Sequence, residues 1–296
     1  MRIVIFGAGS LGSALGALLS RSNEVALVGR HSNMSAIRRS GLRVVGDINV
    51  RAKLEAYDSV NQVEPPELIV ITTKAYDTLS AIRACRDWAS GKVRVLTLQN
   101  GLGNLELLRE WKGERAFGGT TTMGANLLRP GEVRLSGLGR TVIGANKDLV
   151  GAQRIVHAFA ESGLPSVVKK DVLAEIWAKA VVSASINPLT AILRVPNGKL
   201  LASAPVSKLM SEVCSECELV ARGVGIRLPS SMKSRVRAVA RDTSNNRSSM
   251  LQDIERGRRT EVAQINGAFV KHGLERHIKT PLNLTMLAMI GSLETR

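Results

Sequence analysis

Within its first dozen residues the chain runs from an apolar strand pattern, Arg2-Ile-Val-Ile-Phe6, into Gly7-Ala8-Gly9-Ser10-Leu11-Gly12. A helical pattern follows to about Arg21, and then a second apolar run, Val25-Ala-Leu-Val28. Strand, glycine turn, helix, strand is the context in which a G-x-G-x-x-G motif carries weight. Gly7 permits the tight turn, Gly9 lets the backbone approach a pyrophosphate, and Gly12 lets the helix pack on the strand. The helix start offers N–H groups to phosphates, so Gly7, Ala8, Gly9, Ser10, Leu11 and Gly12 are candidate dinucleotide-binding residues. The competing reading, a signal peptide, meets a short apolar stretch broken by glycines.

The end of the second strand carries the cofactor choice. Folds that bind NAD place Asp or Glu there to accept hydrogen bonds from the ribose 2′-OH. Here the residues are Gly29-Arg30-His31. An Arg pairs with a 2′-phosphate that a carboxylate repels, so Arg30 favours NADPH, with NADH still open. The alternative is a solvated Arg30 with no ligand.

Further strand patterns are Leu68–Thr72, Val93–Leu98 and Arg115–Gly118. Their alternation with helical patterns predicts a parallel sheet with helices on its faces. Glu132–Ser136 and Thr141–Gly144 flank a Gly-rich turn and read as a hairpin closing the domain. After a helix near Leu149–Ser162 and a break at Gly163-Leu-Pro165, the chain from Asp171 reads as helices only. The expected helices are Asp171–Ile186, Pro205–Gly223, Pro229–Asp242, Ser248–Glu255, Glu261–Lys271 and Pro281–Leu293, with Gly257 and Gly273 as C-terminal caps. At 296 residues two cores are expected. The predicted fold is α/β: an N-terminal Rossmann-like dinucleotide-binding domain over 1–168, then an all-α substrate domain over 169–296.

The most informative stretch of the second half is Ile176–Ala191. On a helix, Lys179, Ser183 and Asn187 follow i, i+4, i+8 and form one polar stripe on an apolar background. An ammonium, a hydroxyl and an amide aligned this way hold a carbonyl compound and protonate it. The plainer reading is a surface lysine above two small polar residues. Pro188 is expected to end or bend the helix.

The net charge of +16 raises nucleic acid as a partner. The excess is spread over both halves, and four Phe, three Trp and two Tyr are too few for an obvious base-stacking platform. The charge fits attraction of anionic small molecules, with no specific nucleic acid. No apolar run approaches the ~18 residues of a membrane span. Three cysteines suit a reducing, cytoplasmic compartment. Cys214-Ser-Glu-Cys217 lacks a second ligand pair and reads as two buried helical thiols, with no metal site.

Nearly end to end, the chain resembles the ketopantoate reductases (2-dehydropantoate 2-reductases). The resemblance rests on the glycine turn, Thr73-Lys74, Gln99-Asn100-Gly101, Gly119–Thr122, Trp177-x-Lys179, Ile186–Ala191, Pro196-Asn-Gly198, Ser248–Asp253 and Thr260-Glu261. It implies reduction of ketopantoate to D-pantoate, in the route to pantothenate and coenzyme A. It implies Lys179 as general acid and Glu261 as the acid that binds the substrate hydroxyl and positions the lysine. Asn100 would meet nicotinamide and substrate, and Asn187 would bind substrate. Ser249, with Asn246 just upstream, would hold the substrate carboxylate. Arg30 and Lys74 would contact the 2′-phosphate.

Taken singly, Ser248 or Ser249 also reads as a helix cap and Glu261 as a partner of a helix dipole. The chain departs from the family pattern at Ser183 (usually Asn), Met123 (often His) and Asp77 (commonly Gln). Ser183 leaves room for a differently shaped substrate, which keeps open a related 2-keto or 3-hydroxy acid dehydrogenase. A non-enzymatic dinucleotide-sensing or nucleic-acid-binding protein on the same scaffold is the third reading. A homodimer is expected. Competitive binding of coenzyme A, with Cys85 near Arg83 and Arg86 available for a mixed disulfide, stands beside the plainer reading of Cys85 as an ordinary half-buried helical cysteine.

Overall fold

The computed structural model describes residues 1–89, 91–144 and 147–294. Two compact units emerge: Met1–Gln99 with Asn104–Val172, and Asn100–Gly103 with Leu173–Arg296.

In chain order the first unit holds β1 (Arg2–Phe6), α1 (Ser10–Leu19), β2 (Glu24–Val28), α2 (His31–Ser40), β3 (Leu42–Gly46), β4 (Val50–Ala52), β5 (Glu55–Tyr57), β6 (Leu68–Ile71), α3 (Thr78–Cys85), β7 (Arg94–Thr97) and α4 (Asn104–Lys112). Next come β8 (Ala116–Thr121), β9 (Gly124–Arg129), β10 (Glu132–Gly137), β11 (Thr141–Gly144), α5 (Leu149–Glu161) and β12 (Ser166–Lys169). An eight-stranded sheet has the order β12-β11-β8-β7-β6-β1-β2-β5, parallel except where β8 meets β11. Successive residues of β1 point to opposite faces. Ile3 and Ile5 join a core with Leu15 and Leu18 of α1 and Phe159 of α5, whereas Val4 joins one with Ile82 of α3 and Leu108 of α4. Both faces are therefore covered, as parallel sheets require.

The expected hairpin between Glu132–Ser136 and Thr141–Gly144 does not form. β10 pairs with β9 and β3 in a separate four-stranded sheet, β4-β3-β10-β9, while β11 enters the large sheet. Gly139, at φ 57°, makes the crossover possible: a Cβ there would lie 2.4 Å from the Thr122 backbone. The real hairpin turns at Pro130-Gly131, with Gly131 at φ 78°.

The second unit is helical: α6 (Val172–Leu193, its first residue in the first unit), α7 (Lys199–Ala202), α8 (Ala204–Gly223), α9 (Met232–Asp242), α10 (Ser249–Glu255), α11 (Asn266–Glu275) and α12 (Pro281–Glu294). Trp177 of α6 packs edge-on against Phe269 of α11, ring centroids 5.6 Å apart, in a core with Val181, Met210 and Val213. Three expectations are corrected. α6 continues through Pro188 to Leu193, α11 begins five residues after Glu261, and Gly273 lies inside α11 and is no cap. A Cβ on Gly273 would lie 2.8 Å from the Ile278 carbonyl oxygen, so close approach is what requires glycine there. Gly257, at φ 59°, does follow α10 in the left-handed region. α6 is also long and apolar enough to cross a membrane, at mean hydropathy 1.4, although its polar residues interrupt any purely apolar run. Because 61% of that window is buried inside the protein, α6 is a core helix.

Candidate active site

In the first unit the glycine turn sits at the C-terminal end of β1, between β2 and β6, where the connections leave in opposite directions. Ligands of open α/β sheets bind at such a switch point. Gly7 has φ 107°, and a Cβ on it would lie 2.4 Å from the Thr73 amide nitrogen. A Cβ on Gly12 would lie 2.4 Å from the Gly7 carbonyl oxygen and 2.5 Å from Thr72 Oγ1. These glycines are demanded by the protein's own backbone. Gly9 is different: among the described residues nothing beyond its chain neighbours comes nearer than 4.0 Å to a Cβ placed there, and Gly9 gives α1 no side-chain cap. That opening over an uncapped helix start suits a phosphate group.

Ala8 is buried, and its N–H donates to the Val28 carbonyl at 3.2 Å. The Ser10 hydroxyl accepts from the Leu127 N–H at 2.9 Å, and Leu11 is partly buried against the sheet core. Arg30 is exposed at the N-terminus of α2, directly beyond β2. The Asp58 carboxylate is taken up by His31 at 2.6 Å and Arg38 at 3.3 Å, and its pKa is held below the usual value, chiefly by the His31 hydrogen bond. Lys74 is half-buried in the turn after β6. The Gln99 amide shapes that turn by donating to Thr73 Oγ1 at 3.1 Å and Thr78 Oγ1 at 2.9 Å.

In the second unit Lys179, Ser183 and Asn187 do form a stripe on α6, each half-buried among the buried Ala180, Val181, Ala184 and Ile186. Burial lowers the Lys179 pKa from 10.5 to about 8, with attraction to the Glu261 carboxylate acting the other way. Glu261 is 5% exposed and accepts from Asn100 Nδ2 at 3.3 Å. It lies in the turn before α11, so a role as partner of that helix's dipole does not explain it. Its neighbour Thr260 is anchored through its N–H to Glu294 at 2.7 Å. An ammonium, a carboxylate and an amide from three distant segments therefore meet within this unit.

Asn246 and Ser249 are exposed at the start of α10. Ser248 is the cap, accepting from the Leu251 N–H at 3.1 Å, so Ser249 is free of that duty. Hydroxyl bonds join this segment to α6. Ser248 and Thr190 lie 2.7 Å apart, and Thr190 donates to the Asn187 carbonyl at 2.8 Å. With one proton per hydroxyl, Ser248 must donate to Thr190. Asn197, absent from the expected site residues, binds the same segment. Its N–H donates to the Asn246 carbonyl at 2.9 Å, its Nδ2 donates to Thr243 Oγ1 at 2.8 Å, and its Oδ1 is buried without a partner among the described residues. The signal was present in Pro196-Asn-Gly198, where a turn follows α6.

Cys85 sides with the plainer reading of it as a packed helical cysteine. It is fully buried in α3, and burial pushes its thiol pKa up to about 12. Arg83 and Arg86 are exposed, whereas the thiol is not. The thiolate needed for a mixed disulfide is not available there. Cys214 and Cys217 are likewise buried and free, and no metal-binding group of His, Cys, Asp and Glu exists among the described residues.

Residues 3–148 match the family model Ketopantoate reductase PanE/ApbA, and residues 171–294 match Ketopantoate reductase PanE/ApbA C terminal. The 2-dehydropantoate 2-reductase of Archaeoglobus fulgidus is 39% identical over 297 residues, covering 99% of this chain and 98% of the relative. A PanE/ApbA family ketopantoate reductase from Ralstonia eutropha superposes with TM-score 0.94 at 30% identity, covering 100% of this chain and 99% of that one. A D-mandelate dehydrogenase in ternary complex with NADH and anilino(oxo)acetate superposes with TM-score 0.95 at 28% identity, covering 100% and 98%. With a glycine turn at a sheet switch point, a lysine–carboxylate pair on the helical unit, and matches that together span almost its whole length, the chain belongs to the ketopantoate reductase PanE/ApbA family.

Proposed function

We propose that this chain reduces 2-dehydropantoate to D-pantoate with NADPH, a step of pantothenate and coenzyme A biosynthesis, with Lys179 as proton donor. The observation that carries the reading is the half-buried Lys179 ammonium, at a pKa of about 8, within the field of Glu261. Bound cofactor supplies the hydride. Gly9 and the start of α1 suit its pyrophosphate, and Arg30 and Lys74 supply positive charge for a 2′-phosphate.

Hydride arrival at a ketone carbon develops negative charge on the oxygen. An ammonium there stabilises that charge and delivers its proton. Desolvation weakens the hold of Lys179 on its proton, and Glu261 keeps enough of it charged at neutral pH. Asn100 orients the Glu261 carboxylate. Glu261 also accepts a substrate hydroxyl, Ser183 and Asn187 continue the polar stripe, and Ser249 with Asn246 binds the substrate carboxylate.

The test is loss of NADPH absorbance with 2-dehydropantoate. Wild type should turn over, and Lys179→Ala should lose about 10²–10⁴-fold in kcat while keeping its NADPH affinity. Near-wild-type turnover in Lys179→Ala would remove the proton donor from this reading. A second reading is favoured by Ser183 and by the likeness to D-mandelate dehydrogenase: a bulkier 2-keto acid is the preferred substrate. A higher kcat/KM for phenylglyoxylate than for 2-dehydropantoate would establish it.

A further inference from the structure

Pro188 lies inside α6, which runs on for five more residues. Proline has no N–H, so the carbonyl of Ala184, four residues back, loses its helical donor. Ala184 is fully buried, and an unpaired carbonyl there has no ready access to water. Asn266, the first residue of α11, fills the gap, its Nδ2 donating to the Ala184 carbonyl at 3.1 Å.

The orientation of this amide is held from behind. Asn266 Nδ2 also donates to Asn283 Oδ1 at 3.0 Å, and Asn283 Nδ2 donates to Glu216 Oε2 at 2.9 Å. The Glu216 carboxylate accepts from the N–H groups of Leu282 at 2.8 Å and Asn283 at 3.0 Å, at the start of α12. Turning the Asn266 amide over would set its oxygen against two acceptors. As placed, its own Oδ1 is buried without a partner among the described residues. A fully buried amide that leaves its oxygen unpaired is placed for what its NH₂ group does.

We propose that Asn266 is a positioning residue: its side chain stands in for the N–H that Pro188 lacks and keeps α6 helical across the turn joining Ser183 to Asn187. Without it, residues 184–188 unwind and Asn187 leaves the line it shares with Lys179. The inference rests on the reading of α6 as the substrate-binding helix. It predicts a specific coupling, because Pro188→Ala restores the missing backbone donor and makes Asn266 dispensable.

The experiment compares wild type, Asn266→Leu, Pro188→Ala and the double variant, well below the thermal midpoint of each, with 2-dehydropantoate and NADPH. Asn266→Leu should lower kcat/KM for the keto acid by about tenfold or more, the scale of one buried hydrogen bond lost, with KM for NADPH unchanged. The double variant should recover to within about threefold of Pro188→Ala alone, as expected when a second donor serves the same carbonyl. Wild-type kinetics in Asn266→Leu, or a loss that Pro188→Ala does not relieve, overturns the proposal. Should Asn266→Leu not fold, the double variant against Pro188→Ala decides: agreement supports the substitution of donors, and a larger gap refutes it. Wild-type inactivity toward 2-dehydropantoate strikes the substrate reading instead. The coupling is then read from the thermal midpoints of the proteins that fold: Asn266→Leu, which also loses its bond to Asn283, must cost less in the Pro188→Ala background than in wild type, and an equal cost refutes the proposal.

Discussion

Lys179 shows how one residue's environment sets chemistry. Its pKa falls from 10.5 to about 8 because burial disfavours the charged form, and Glu261 opposes the fall. In its proposed role as general acid Lys179 must be protonated, so keto acid reduction should be present below pH 8 and decline as pH rises through that value. Glu261→Gln removes the opposing attraction, and the decline should move to lower pH. A pH profile of kcat/KM checks this, and an unmoved limb would refute the pairing. The same shift has a stability consequence. Between about 8 and 10.5 the unfolded chain holds the proton and the folded one does not, so the lysine's cost to folding is full below 8 and gone above 10.5. Lys179→Met should therefore raise the thermal midpoint at pH 7, with the gain fading as pH approaches 10.5. The neighbouring serines divide by role in the same way. Ser248 caps α10 and Ser249 does not. Ser248→Ala should cost about 1 kcal/mol of stability. Ser249→Ala should leave stability alone and weaken keto acid binding, and chemical denaturation beside steady-state kinetics separates the two.

Among the elements, those set by local pattern formed as read. The β1–α1–β2 unit is built from a strand, a glycine turn and a helix adjacent in sequence, and the stripe on α6 follows from helical spacing. Elements whose partners lie far off were misread. The strands β10 and β11 alternate as hairpin strands do, yet their registers are with β3 and β9 on one side and β8 and β12 on the other. Pro188 is expected to end or bend α6, and the helix does not end there; the donor to the Ala184 carbonyl comes from Asn266, in another helix. At the end of β2 the prediction concerns specificity. Arg30 stands where a carboxylate would read a ribose hydroxyl, and Arg30→Asp should lower the NADPH/NADH ratio of kcat/KM by replacing a phosphate partner with a repelling charge. An unchanged ratio would show that Arg30 does not read the 2′-phosphate.

At the scale of the whole molecule, each unit carries its own core and its own share of the candidate site residues. Trp88 and Trp111 pack in the first unit and Trp177 in the second, so tryptophan fluorescence reports on both. NADPH at about 100 times its Kd should raise the stability of the transition seen through Trp88 and Trp111 by about 2.7 kcal/mol, because a ligand of the folded state adds its binding free energy. No shift in a Trp177→Phe variant would refute cofactor binding at the glycine turn. The sequence by itself determined the α/β-then-α order, the glycine turn, the stripe of Lys179, Ser183 and Asn187, and the family, because periodicity, turn chemistry and motif spacing are properties of residues near one another in the chain. Only the tertiary structure decided that Glu261 meets Asn100 across 161 positions, that Ser248 and not Ser249 caps its helix, that Cys85 is sealed from reaction, and that Asn266 completes the helix 82 positions before it. These depend on burial and on hydrogen bonds between distant segments, which no local pattern encodes.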